Sequence, residues 1–420
     1  MAIQYSTLPG EITDAIIDHL HSDLRALGVC SMVCSKWLNR SRYHIFATVQ
    51  LWPWRIHRFF ELAKSRSCTF THHIHRIELD DLRTRAEEKS RDIRPTRQGN
   101  DERVTFNEAM AQSYILCFSQ VKSMQVKNVD WTALSPMQHG KLRERLAKFS
   151  KLNRLELQGV IFHDLREVIR VVSSFPSLRQ LSAQISFLKY LEYVIASAST
   201  LRLPSNVQTI ELGTDEGIPV ILGCLAGREE EPHVLVLKLK NVKYSHLQYI
   251  STTLKKSKPN LQHFSLGFAR ETLQTIDTGS STCVLKSIGI EFSNLDDLVK
   301  AVDLSHLSEL RTLCIEGLRI QENQSLSTTL VPILQRIESS FLESIDLGFL
   351  LDANTTLACF NWQSLERVLL MHHFFGLRLV RVTIVLEEAT TDKREFVEQW
   401  IRRAMSDLNS REILTVRVMW

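Results

Sequence analysis

The chain has 420 residues, 44% of them hydrophobic, with 51 Lys and Arg against 47 Asp and Glu. That length exceeds one typical domain, and the apolar content allows a substantial core. A net charge of +4, read as spread along the chain, gives no case for nucleic acid or an anionic membrane, and no apolar run approaches a membrane span.

The first fifty residues are the most informative. Leu8, Ile12, Ile16 and Leu20 recur every four residues, which lines one helical face. Pro9 and Glu11 suit the first helical turn, where a missing N–H costs nothing and a negative charge is favoured. Ser22 or Asp23 can cap a second helix, along which Ala26, Val29, Val33 and Trp37 form a stripe beside Leu27, Cys30, Cys34 and Leu38. Short helices cannot bury all of that surface alone, so a partner or a following domain must cover it.

The run Leu8-Pro9-x-Glu11-Ile12, the Ile/Leu ladder, Asp23-Leu24, Val33-Cys34 and Trp37 resembles an F-box. The trailing Ser41-Arg42-x-x-Ile45-Phe46 and Val49-x-Leu51 are similar to F-boxes of expanded fungal families. The resemblance covers residues 6 to about 51 and implies docking to a Skp-type adaptor, and through it to a cullin. It places Leu8, Pro9, Ile12, Ile16, Leu20, Leu24, Leu27, Val33, Cys34 and Trp37 on the adaptor-binding face.

Next, apolar-x-x-apolar-x-apolar hexads begin at Ile74, Val121, Leu152, Leu178, Val207, Val234, Leu261, Leu285, Leu310, Leu342 and Leu365. Apart from a first interval of 47 residues, their spacings of 23 to 32 match the length of a leucine-rich repeat. Each hexad predicts a short strand, and stretches such as 164–173, 244–255 and 296–302 predict return helices. The position that is often Asn in such repeats holds Val129, Val160, Val242, Leu318 or Leu350, so the repeats are irregular. The charged segment 83–103, with Ile93 as its one large apolar residue, accounts for the long first interval and reads as a mobile surface loop. At the end, 377–387 reads as a strand pairing as an edge or hairpin, 393–408 as an amphipathic helix and 413–420 as a last strand. These segments cap the stack.

The expected fold is therefore α/β. It comprises an F-box (1–51), a linker helix (52–73), an irregular leucine-rich-repeat solenoid with a curved parallel sheet (74–376), and a helix/strand cap (377–420). The strand residues facing the concavity are the candidate substrate surface: Arg154, Glu156, Gln158, Glu211, Lys238, Lys240, His263, Glu291, Glu316, Asp346 and Arg367. Their mixed charge suits a protein partner more than a polyanion.

Catalytic and metal motifs are missing. His72-His73-x-His75 lacks companion ligands at workable spacing, and no P-loop, G-x-S-x-G or H-E-x-x-H occurs. Eight scattered cysteines without a C-x-x-C pair, in a chain that opens on no leader, read as reduced thiols in cytoplasm or nucleus. Taken with the resemblance, the sequence predicts a non-enzymatic, cofactor-free substrate receptor, monomeric within a Skp–cullin–F-box ubiquitin ligase. The alternative is a leucine-rich-repeat interaction scaffold outside any ligase.

Overall fold

The computed structural model describes residues 9–66, 68–80, 118, 120–188, 203–214, 216–227, 233–257, 260–268, 299, 302–320, 326–351, 356–386 and 391–419. It divides into two units, 1–189 and 190–420. Among the described residues, no helix is long and apolar enough to cross a membrane.

The first unit opens with α1 (Gly10–His19), α2 (Leu24–Val33) and α3 (Ser35–Ala47). Pro9 is the N-cap of α1, one residue ahead of the first turn. Asp23 caps α2, accepting from Arg25 N at 3.0 Å and Ala26 N at 2.9 Å. At Cys34 the backbone is extended (φ −163°, ψ 169°), and its carbonyl accepts the first bond of α3 from Leu38 N. The Ala26-to-Trp37 stripe is therefore broken, and Cys34 does not share a helix with Cys30. Pro53 then starts α4 (Pro53–Lys64).

Five parallel strands follow chain order in this unit: β1 (Thr48–Leu51), β2 (Arg76–Asp80), β3 (Ser123–Lys127), β4 (Arg154–Phe162) and β5 (Gln180–Phe187). The sheet starts earlier than the hexads indicated, because Val49 and Leu51 alternate inward and pair with Ile77 and Leu79. Helices α5 (Pro136–Leu146) and α6 (Leu165–Val172) return the chain between strands. A Ser135–Gln138 capping box opens α5, and the Asp164 carboxylate opens α6 by accepting from Glu167 N. Helix α6 buries Leu165, Val168, Ile169, Val171 and Val172. At roughly 1.5–3 kcal/mol for each large aliphatic removed from water, that face fixes the helix on the sheet.

In the second unit the strands are β6 (Thr209–Leu212), β7 (Val236–Val242), β8 (His263–Phe268), β9 (Thr312–Ile320), β10 (Ser344–Leu351), β11 (Leu379–Leu386) and β12 (Leu414–Met419). Each pairs in parallel with the next. The helices are α7 (Gly217–Ala226), α8 (Leu247–Lys256), α9 (Leu326–Gln335), α10 (Trp362–Leu369), α11 (Thr391–Ala404) and α12 (Ser406–Ser410). Phe349, Phe360 and Trp362 pack at 4.7–5.1 Å between ring centroids, with the Trp362 indole donating to the Leu357 carbonyl.

Nine hexads precede strands, and their leaders Ile74, Val121, Leu152, Leu178, Val207, Val234, Leu261, Leu310 and Leu342 are all buried. The Leu285 hexad and the 83–103 segment lie outside the described residues. The Leu365 hexad is a helix instead: Leu365, Val368 and Leu369 sit at i, i+3 and i+4, and the Asn361 side chain caps α10 through Ser364 N. Consequently β11 is neither an edge nor half of a hairpin; it lies between β10 and β12, parallel to both. The expected terminal helix breaks at Met405, and the buried Glu366 carboxylate accepts from Asp407 N and Leu408 N to start α12.

A left-handed residue recurs seven positions after four leaders: Asn128 (φ 56°), Gly159 (63°), Asn241 (56°) and Gly317 (78°). Strand register shifts beside three of them. The repeat asparagine thus stands one place before the position examined in the sequence, where Val129, Val160, Val242 and Leu318 are buried. Asn241 Nδ2 reaches back to the Gly213 carbonyl at 2.8 Å, and Asn128 Nδ2 to Asp80 Oδ1 at 3.2 Å.

Candidate protein-binding surfaces

The helical module holds itself together through a narrow set of contacts. Helix α1 buries Thr13 and Ile17, and α2 buries Leu27 and Cys30. Asp18 on α1 receives Nε and Nη2 of Arg40 at 2.5 Å each and lies 2.7 Å from His44 Nε2, both partners on α3. The bonds from Arg40, then from His44, hold the Asp18 carboxyl well below the usual carboxylate range.

The remaining apolar residues of α1 and α2 face outward. Ile12 is 50% exposed, Ile16 43%, Leu24 62% and Val33 58%, while Leu20 and Trp37 are half-buried and Pro9 and Cys34 exposed. Leu8 lies outside the described residues. Leu27 is 0% exposed, so this predicted adaptor contact is instead core of the module. Val29 (58%) and Met32 (79%) were missed as site residues. Their signal was available: Leu24 and Met32 are two turns apart, and Val29 and Val33 one.

On the sheet face of the first unit the polar groups consume one another. Gln50 donates to Glu78 at 2.9 Å, Arg76 to Glu78 at 2.8 Å and to Gln125 at 3.0 Å, and Gln125 to Glu156 at 3.0 Å. Arg154 Nε closes the ladder 2.7 Å from Glu156 Oε1. Glu156, a predicted recognition residue, is buried and serves this ladder; Arg154 stays exposed and Gln158 is half-buried.

The sheet face of the second unit is more open. Lys240 pairs with Glu211 at 2.5 Å and Arg381 with Asp346 at 2.8 Å. Glu316 is exposed and Lys238 half-buried, and neither forms an ion pair among the described residues. Burial, with Lys238 adding to it, pushes the His263 imidazole below its ordinary value. Burial pushes the Asp346 carboxyl up, with Glu316 adding and Arg381 opposing. Cys314 stands beside Ser265 and Asp346 in register, and burial raises its thiol to about 11, so it is a protonated thiol near neutrality. Glu291 lies outside the described residues. Arg367 is on α10, not on a strand, which removes it from this face.

Among the described residues no three His, Cys, Asp or Glu side chains are grouped to hold a metal ion. His72 and His73 pack at 3.8 Å between centroids and His73 meets the Tyr43 ring edge-on, with burial first and its imidazole neighbours second keeping His73 below its ordinary value.

Parallel strand, left-handed bulge and return helix, repeated, make this a leucine-rich-repeat fold that follows a three-helix module. No family model matches the chain, and no curated protein matches it. Among solved structures it is similar to the leucine-rich-repeat protein LegL7 of Legionella pneumophila, at 14% identity over 70% of this chain and 95% of that one, with a TM-score of 0.38. It is also similar to the Rad7 and Elc1 complex of yeast (12% identity, 91% and 90% coverage, TM-score 0.34) and to internalin InlF of Listeria monocytogenes (9%, 88% and 90%, 0.28). At TM-scores this low the fold rests on its own strands and their register.

Proposed function

We propose that the chain is a substrate receptor of a Skp–cullin–F-box ubiquitin ligase. Its α1 and α2 bind a Skp-type adaptor, and the strand face of its repeats selects a protein substrate. The observation that carries this reading is the group of six large apolar side chains left in water on two short helices: Ile12, Ile16, Leu24, Val29, Met32 and Val33. While uncovered, each forfeits part of the roughly 1.5–3 kcal/mol that full burial of such a side chain provides, which favours an apolar partner. The order of residues that resembles an F-box supplies the partner's class.

In this role the chain performs no bond chemistry. It holds a substrate near a charged conjugating enzyme, and tethering raises the effective concentration of substrate lysines. The open polar groups of the second unit, Lys238, Glu316 and the Asp346–Arg381 pair, suit a protein surface of mixed charge.

Affinity purification of the full chain tests the assignment. Recovery of a Skp-type adaptor together with a cullin supports it, recovery of neither contradicts it, and recovery of adaptor alone favours a scaffold outside the ligase.

A further inference from the structure

The chain's net charge of +4 is not evenly spread. Residues 136–151 and 163–180, which hold α5, α6 and the turns after them, carry eight Lys or Arg against three carboxylates, a net of +5. These two segments together thus hold more net charge than the whole chain. By contrast, α7 and α9 in the second unit carry no charged side chain.

Most of the cations lie on outward faces, while Arg143 and Arg145 are half-buried. On α5, Met137, Lys141 and Glu144 are exposed, followed by Lys148, on the side away from buried Leu142 and Leu146. On α6, Arg166 and Arg170 are exposed four residues apart, where like charges repel each other. Of the three carboxylates, two are engaged, while Glu144 stays exposed beside Lys141 and Lys148 and offsets one of the cations. Asp164 caps α6, while Glu167 accepts from His163 N at 3.0 Å and lies 3.5 Å from His139 Nδ1. Lys141, Lys148, Arg166, Arg170 and Arg179 form no ion pair among the described residues. Phe149 and Phe175, the phenyl rings of these segments, are buried, so no phenyl ring is offered to unpaired bases.

We propose that the outer face of α5 and α6 docks an acidic segment of a protein. Charge complementarity carries the choice of partner. The surface is distinct from the apolar face of α1 and α2 and from the strand face, so it offers the receptor a third contact.

The test is fluorescence anisotropy of the full chain at low salt with a labelled peptide of about ten glutamates, beside a labelled duplex DNA of about 20 base pairs. The expected result is saturable peptide binding that weakens with salt and is at least about tenfold weaker in Lys141→Glu/Arg166→Glu/Arg170→Glu. The neutral triple variant Lys141→Gln/Arg166→Gln/Arg170→Gln should fall between. Absence of peptide binding, equal binding by both triple variants and wild type, or tighter binding of the duplex than of the peptide would overturn the proposal.

Discussion

Asp18 on α1 and Arg40 on α3 form a two-bond clamp, both contacts at 2.5 Å, with His44 completing the carboxylate's shell. Helix α1 offers few buried side chains, Thr13 and Ile17 alone, so this clamp does much to seat it. The clamp therefore governs whether Ile12 and Ile16 are presented in a fixed geometry.

The clamp predicts an acid-sensitive module. A carboxyl lowered on folding stabilises the fold above its unfolded value, about 3.9, and that contribution is lost as pH falls below it. Hydrogen exchange in residues 10–19, corrected for intrinsic rates, should show protection falling between about pH 5 and pH 3. In Asp18→Asn, protection should already be low at the upper pH and change little with acid. An unaltered profile in that variant would remove the clamp from the account.

Gly317→Ala should destabilise the second unit. Its φ is +78°, and an added Cβ would stand 2.8 Å from the Phe268 carbonyl oxygen, a backbone atom that cannot swing aside. The expected loss is about 1–3 kcal/mol in urea unfolding. Gly159→Ala should cost less, because there the obstacle is the tip of the Asn128 side chain.

Glu156→Ala should cost about 1–3 kcal/mol, since it leaves buried Gln125 without its acceptor and Arg154 without its carboxylate. Denaturant unfolding measures this directly, and binding of a substrate should change only through stability. A loss of substrate affinity with unchanged stability would return Glu156 to the recognition surface.

These same residues show how far the sequence could be read. Hexads announced strands because buried leaders and alternating inward residues follow from repeat geometry, and nine of them head strands here. The Leu365 hexad misled because its spacing also fits a helical face, and only the Asn361 cap decides between them. Outward placement of Ile12 and Ile16 was legible from the four-residue ladder. That Leu27 turns inward was not, because it depends on how α2 is rotated against α3. Glu156 looked like a solvent-facing residue because alternation reports the face of a strand, not whether neighbouring strands supply partners for it.

The most direct measurement is the affinity of the purified full chain for a purified Skp-type adaptor, compared across Met32→Asp and Leu27→Ala. Met32 is 79% exposed, so Met32→Asp should leave stability within about 0.5 kcal/mol while weakening adaptor binding by about thirtyfold or more. Leu27 is fully buried, so Leu27→Ala should cost about 2–5 kcal/mol of stability. If Met32→Asp bound the adaptor as tightly as the wild type, or if the wild type did not bind it, the assignment of α1 and α2 as the adaptor-docking face would be contradicted.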